Sequence, residues 1–454
     1  MSETSFPPGP RPRWWGGNFK AYRRDPLGFL TMCARTYGDI VGMRYYNYRT
    51  YFLNHPDFIE AVLVTHNRKF IKGRALRANR RLLGNGLLTS EGDFWLRQRR
   101  LAQPSFHRAR VAAYAETMVR YTERMLEGWR DADARDVHQE MMRLTLGIVA
   151  KTLFDADVEG DARDVGEALE VVMEQNTDLR RLVFTPAWLP TPANFRMFRA
   201  RRRLDAVIYR IIAERRASGR DTGDLLSMLL AARDEDGSRM TDLQLRDEAV
   251  TLFLAGHETT ALALSWAWWL LAQHPEAERK LQEELSAVLG GRSPTMEDLP
   301  RLRYAEMVLN ESMRLYPPAW GMVRMAIEDC EIGGYPVPRG TGIAISQFVT
   351  HRDARWFDAP EEFRPERWGN DFAKGLPRFA YFPFGGGPRQ CIGNSFAMME
   401  AMLLLATIAQ RFRLRLVPGH RVEPMPSITL RPKYGIHVTL EARREAAMPA
   451  TAAD

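Results

Sequence analysis

"FGGGPRQCIG", residues 384–393, puts one of the chain's three cysteines in a loop with four glycines. A cysteine kept for packing usually hides among apolar neighbours. Cys391 instead follows backbone that can adopt conformations other residues avoid and can approach a partner closely. Pro388 stiffens the approach. After Gly393, "NSFAMMEAMLLLATIAQRF" has the apolar spacing of a long helix, so Cys391 stands just before a helix N-terminus. Free N–H groups and the helix dipole there favour a thiolate.

A thiolate with backbone donors aimed at its sulfur is a good axial ligand for haem iron. Arg389, two residues earlier, suits a carboxylate such as a haem propionate. An inert cysteine beside a glycine turn is the alternative. It would prevail for a lone cysteine but not for the whole pattern F-x-x-G-x-R-x-C-x-G, from Phe384 to Gly393.

The surrounding chain is an ordinary globular one. It has 454 residues, 45% apolar and 26% charged, enough for a large core. Cys33, Cys330 and Cys391 form no disulfide pattern and no C-x-x-C pair, which fits a reducing, cytoplasmic compartment. The N-terminus lacks a secretory apolar region. The most apolar run, "ALALSWAWWLLA" (261–272), is shorter than the roughly 20 residues of a spanning helix. No membrane anchor is expected, although the Pro/Trp-rich N-terminus leaves peripheral contact open. The net charge of +8 comes with no nucleic-acid motif. The clusters "RANRR" (77–81), "RQRR" (97–100) and "RARRR" (199–203) read as solvated helix faces, one of them a candidate surface for an acidic partner.

Along the chain, residues 1–20 read as an extended entry and 443–454 as a disordered tail. "DPLGFLTMCARTYG" (25–38) predicts a helix ending at Gly38, and "DIVGMRYYNYRTYFLN" (39–54) a strand pair. Residues 140–415 read as mostly helical, and "RFRLRLVPG" and "YGIHVTLEAR" as strands. There is no repeat and no βαβ alternation, so the expected fold is mainly α with a small β region and no Rossmann unit.

Two further motifs carry chemistry. "AGHETT" (255–260) places an acid and two hydroxyls inside an apolar helix expected over about 248–272. Polar groups there need partners. A Thr hydroxyl can bond back and bend the helix, Gly256 leaves room for a flat or small ligand, and Glu258 with Thr259 suits proton delivery through water. A kinked core helix with a solvated Glu reads equally well. His257 reads as structural or solvent-facing. In "NESMRLYPP" (310–318), Glu311 and Arg314 share a helix face, and Arg367 of "FRPERW" (363–368) is a possible third member.

Taken in order, "WLRQR" (95–99), "AGHETT", "ESMR" (311–314), "PERW" (365–368) and "FGGGPRQCIG" resemble the cytochrome P-450 family of haem-thiolate monooxygenases, over about residues 20–442. The resemblance implies a single-domain cytochrome P-450 fold over 21–442 and haem b as cofactor. It implies Cys391 as the iron ligand and Trp95, Arg99, Arg324 and Arg389 as propionate partners, with Phe384 and Gly393 in the cofactor loop. It implies Glu258 and Thr259 as the pair steering protons to dioxygen, and Glu311, Arg314 and Arg367 as a structural triad.

It also places substrate contacts at Leu87, Leu88, Phe253, Leu254, Ala255, Ala319, Trp320, Met322 and Ile428. These side chains are apolar, so a small apolar substrate is expected, guessed as a fatty acid or terpenoid. Each reads equally as core packing, and Trp320 either narrows the pocket or points away. No reductase follows, so electrons are expected from NAD(P)H through a separate reductase system and an acidic ferredoxin or flavodoxin, drawn by Arg97 and Arg100. A peroxide-driven peroxygenase and a non-catalytic haem-thiolate sensor or ligand carrier are the alternatives. The intact Glu258 and Thr259 argue against both.

Overall fold

The computed structural model describes residues 6–12, 16–155 and 189–443, with the single positions 166, 168 and 171. The expected tail beyond 443 and the Trp14–Trp15 pair fall outside them. Helix α1 (Pro26–Tyr37) starts where the Asp25 carboxylate accepts the Gly28 N–H at 2.9 Å and ends at Gly38, whose φ of 89° suits glycine.

The Tyr-rich segment forms the expected antiparallel pair, β1 (Ile40–Tyr45) and β2 (Tyr48–Leu53), in register Ile40 to Leu53. Further strands are β3 (Phe70–Lys72), β4 (Ala134–Asp136), β5 (Met322–Ala326), β6 (Cys330–Ile332), β7 (Tyr335–Val337) and β8 (Gly342–Ile345). One sheet runs β1-β2-β8-β5-β3, parallel only between β2 and β8. Strands β5 to β8 lie inside the stretch expected to be mostly helical. β8 alternates between half-buried and buried residues, and β8 and β5 find partners in β2 and β3 near the N-terminus, while β6 and β7 pair with each other. Near the C-terminus the two expected strands form, β9 (Phe412–Leu416) and β12 (His437–Ala442), and they pair with each other, while β10 (Pro424–Pro426) pairs with β11 (Leu430–Pro432).

The helical body comprises α2 (Gly92–Ala102), α3 (Ala115–Glu127), α4 (Val137–Phe154), α5 (Pro192–Ser218), α6 (Asp242–Gln273), α7 (Pro275–Leu289), α8 (Arg303–Leu315) and α9 (Asn394–Arg411). Helix α6 runs through the middle and packs on α4, α5, α8 and α9. It begins six residues earlier than expected because Thr241 and Gln244 form a reciprocal capping box. It is apolar on nearly every side, as a fully enclosed helix must be. Among the described residues no helix is long and apolar enough to cross a membrane.

Candidate active site

The Cys391 loop is held from both ends. The Cys391 N–H bonds the Phe384 carbonyl at 2.9 Å, closing the loop on itself. Gly385 and Gly387 have φ of 69° and 67°. A Cβ on Gly387 would lie 2.0 Å from the Leu63 carbonyl oxygen, and one on Gly386 would lie 2.3 Å from the Phe379 ring. These two glycines therefore make room for the protein's own atoms, not for a ligand edge. Gly385 is the open one, with the Met322 methyl 3.6 Å from where its Cβ would be. Gly393 caps α9 and faces the Phe106 ring.

The sulfur's surroundings differ from the expectation in one respect. Burial pushes the Cys391 thiol up, and the Gly393 N–H and the Arg99 charge offset only part of this. The helix start alone does not keep the sulfur ionised; bonding to a metal would. Cys391 is nevertheless exposed although protein crowds around it, as a sulfur facing a hollow inside the molecule would be. The same signature marks α6. Ala255 is exposed and Gly256 and Thr259 are half-exposed, while their neighbours along the helix are buried. A thiol and a small-residue stripe that both open onto internal space are what a flat cofactor between α6 and α9 requires.

The charges agree. Lys72 on β3, Arg324 on β5 and Arg389 gather around Glu91. Arg389 pairs with Glu91 and lies over the Trp95 ring at 4.1 Å, and its Nη1 donates to the Ser90 carbonyl. Burial, then Arg389, lowers Lys72 to about 7 and Arg324 to about 10. Three cations with one close carboxylate form a site short of negative charge, which a dicarboxylate such as haem would supply. The residues thus fit the group. Arg99 stands apart: its Nη1 donates 2.9 Å to the Gln390 carbonyl, beside the cysteine rather than in this cluster. Lys72 and Glu91 went unread in the sequence, because a lone Lys in "FIKG" carries no signal until β3 and β5 pair Lys72 with Arg324.

On α6, Thr259 Oγ1 donates to the Ala255 carbonyl at 2.7 Å and Thr260 to Gly256, and the helix continues unbroken. Gly256 serves helix packing, since a Cβ there would lie 3.0 Å from Val149 of α4. Glu258 is not solvated. It is 1% exposed, and its Oε1 accepts from Arg431 Nε at 2.6 Å and Thr429 Oγ1 at 2.7 Å. His257 is structural, buried with Nδ1 at 2.9 Å from the Phe253 carbonyl.

The triad assembles fully. Glu311 and Arg314 are both 0% exposed and joined by two 2.9 Å bonds, and Arg367 Nε reaches Glu311 at 3.0 Å. Trp368 Nε1 and the Arg364 N–H also donate to Glu311. Arg314 bonds the carbonyls of His351, Pro360 and Glu362. His351, held neutral by burial and by Arg314, accepts the Phe382 N–H at 3.0 Å and so ties the triad to the cysteine loop.

The expected pocket residues divide. Leu87, Leu88, Ala255, Ala319, Met322 and Ile428 are exposed or half-buried. Phe253 instead stacks on Phe154 at 4.1 Å in the α4–α6 core, and Leu254 is buried there too. Trp320 points away: its Nε1 bonds the Ser427 carbonyl at 2.9 Å, and its ring joins Phe52, Leu262 and Trp266. Arg97 is engaged inside the molecule with Asp234 at 2.6 Å and Ser238 at 2.8 Å, and Arg100 pairs with Glu235. Both α2 cations expected to face an acidic partner thus already pair with acids of this chain, Arg97 half-buried and Arg100 at the surface.

A lone cysteine at a helix start, an open stripe on a central helix and a buried cation cluster are compatible with a haem-thiolate site. The chain belongs to the cytochrome P450 family, whose profile matches residues 7–440, and it is a monooxygenase of that family. It is 42% identical to cyclooctatin synthase of Streptomyces melanosporofaciens over 90% of this chain and 89% of that one. It is 40% identical to cyclooctat-9-en-7-ol 5-monooxygenase of the same organism, over 89% and 88%. It is 36% identical to pentalenene oxygenase of Streptomyces avermitilis, over 92% and 94%. The solved structure of retinoic-acid-bound cyanobacterial CYP120A1 superposes with a TM-score of 0.88 at 28% identity, covering 97% of this chain and all of that one.

Proposed function

We propose that the protein inserts one oxygen atom of dioxygen into an apolar terpenoid, by hydroxylation or epoxidation, using electrons from NAD(P)H delivered by a separate reductase and an acidic ferredoxin or flavodoxin. The observation that carries the reading is the exposed Ala255–Thr259 stripe inside an otherwise buried helix, in a chain whose Cys391 also opens inward. The terpenoid-modifying relatives support the substrate class over a fatty acid.

Haem bound at Cys391 supplies the oxygen activation. The chain's residues do the rest. Lys72, Arg324 and Arg389, with Trp95, would hold the cofactor's carboxylates. Leu88, Ala255, Ala319, Met322 and Ile428 present an apolar wall that orients substrate by shape. Thr259 Oγ1 gives up its bond to the Ala255 carbonyl to pass a proton inward. Glu258 resupplies that proton after its pairing with Arg431 opens. Arg100, the more exposed of the two α2 cations, is the place for an acidic partner once Glu235 swings aside.

Titration of the ferric holoenzyme with a panel of terpenoids and fatty acids, read as the low-spin to high-spin shift of the Soret band, tests the substrate. Binding by terpenoids, followed by a product labelled from ¹⁸O₂ and dependent on an electron donor, is the expected result. Turnover with hydrogen peroxide and with no electron donor would make the protein a peroxygenase instead.

A further inference from the structure

The loop that carries Leu87 and Leu88 is fastened to the central helix by two consecutive acids. Asp247 accepts the Asn85 N–H at 2.6 Å, and Glu248 accepts the Leu87 N–H at 2.9 Å. Gln98 of α2 donates to the other Glu248 oxygen at 3.1 Å. Lys72 Nζ holds the Leu87 carbonyl at 2.7 Å, so both polar groups of one residue are tied to buried ionisable side chains. Glu248 is 0% exposed and Asp247 6%. Contact is backbone to helix: a Cβ on Gly84 would lie 1.9 Å from Asp247 Oδ1, and one on Gly86 would lie 2.3 Å from Thr251 Oγ1. Inside the loop, Thr89 Oγ1 donates to the Gly84 carbonyl at 2.6 Å.

The strap continues outward. Arg246 bonds Asp247 at 2.9 Å and reaches Asp205 of α5 at 2.6 Å. Glu248 and Ala255 are seven residues apart, hence on one face of α6 and about 10 Å apart along its axis. The fastening therefore stands two turns from the stripe that faces the proposed substrate.

We propose that Glu248 and Asp247 are positioning residues that set the substrate preference of the enzyme by strapping the 84–90 loop, with Leu87 and Leu88, to the pocket face of α6. Neither acid touches substrate; each acts through the loop backbone. The proposal rests on the reading of the hollow beside Ala255 as the substrate pocket.

The test uses the haem-loaded protein with Glu248→Leu, which removes the acceptor, and Glu248→Gln, which keeps one. Hydrogen exchange of the 84–90 amides is measured, with α8 as an internal control. So is the ratio of dissociation constants for imidazole and 4-phenylimidazole, read from the Soret band. Glu248→Leu is expected to speed exchange in 84–90 by roughly tenfold or more, with α8 unchanged. It is also expected to shift the ligand ratio, and Glu248→Gln to restore both. Unchanged exchange in 84–90 would overturn the strap. Faster exchange with an unchanged ratio would remove Leu87 and Leu88 from the pocket and overturn the specificity role. If Glu248→Leu does not fold, Asp247→Ser reports the same strap at Asn85, with the same two outcomes.

Discussion

The proposed chemistry rests on a single sulfur, Cys391, and its setting makes it easy to test. A serine hydroxyl supplies no thiolate, so the serine variant loses the proposed ligand without gaining a substitute anion. Cys391→Ser is expected to abolish the red-shifted Soret band of the reduced carbon monoxide complex; a surviving band would mean another ligand. Thr259 is half-exposed on an otherwise buried helix, and its hydroxyl bonds only within its own turn. Thr259→Ala should therefore fold normally and fail in proton handling. Hydrogen peroxide release relative to product is expected to rise several-fold, well short of the roughly 10² to 10⁴ in rate that a general acid–base group can contribute. Unchanged coupling would take Thr259 out of the relay. At this scale the sequence was informative where a residue type is rare in its setting, as with Cys391. It left the matter open where an apolar residue had two possible directions. Trp320 and Phe253 read equally as pocket wall or core because position alone does not say which way a side chain points, and both prove to face the core.

At the scale of elements, the region below the cysteine is fixed by one buried carboxylate. Glu311 faces two guanidinium groups, an indole and a backbone N–H. Arg314 in turn closes three carbonyls of the 351–362 segment, and His351 hands the linkage to Phe382. Glu311→Gln leaves two buried guanidinium groups without their charge partner and is expected to cost about 3–5 kcal/mol of stability. Chemical denaturation checks this, and haem retention should fall in parallel because the cysteine loop hangs from the same network. The i, i+3 spacing of "ESMR" announced the pair, and "PERW" its third member. The strands β5 and β8 were not legible. Strand residues whose partners lie roughly 290 positions away, such as Thr50 and Gly342, have no local signature of that pairing.

Over the whole molecule, the least expected charge is Glu400 on α9. It is 0% exposed, and burial pushes it up to about 8 against the opposing pull of the Thr260 hydroxyl. The folded protein therefore holds this proton where the unfolded chain, with an ordinary value near 4.5, has lost it. Between those two values stability falls as pH rises, by up to about 1.4 kcal/mol per pH unit from this group. Glu400→Gln keeps the shape and removes the titration. Its stability by denaturant melts is expected to match the parent near pH 5 and exceed it near pH 8. Equal slopes for the two proteins would show that Glu400 is ionised in the fold.

The resemblance carried by five short motifs supplied the expected roles of metal ligand and distal alcohol; the sequence by itself determined the cysteine loop before a helix, the shared face of Glu311 and Arg314 and the mainly helical class. Each rests on short-range chemistry, in which a few residues at set spacing on one loop or helix turn already define a geometry. Only the tertiary structure decided that Glu258 is held by Arg431 and Thr429, that Lys72 joins the cation cluster, and that Asp247 and Glu248 strap the 84–90 loop. Those contacts join residues 160 or more positions apart, or depend on which face of a buried helix meets which neighbour. Nothing in local spacing encodes such a meeting; it exists only once the layers have packed.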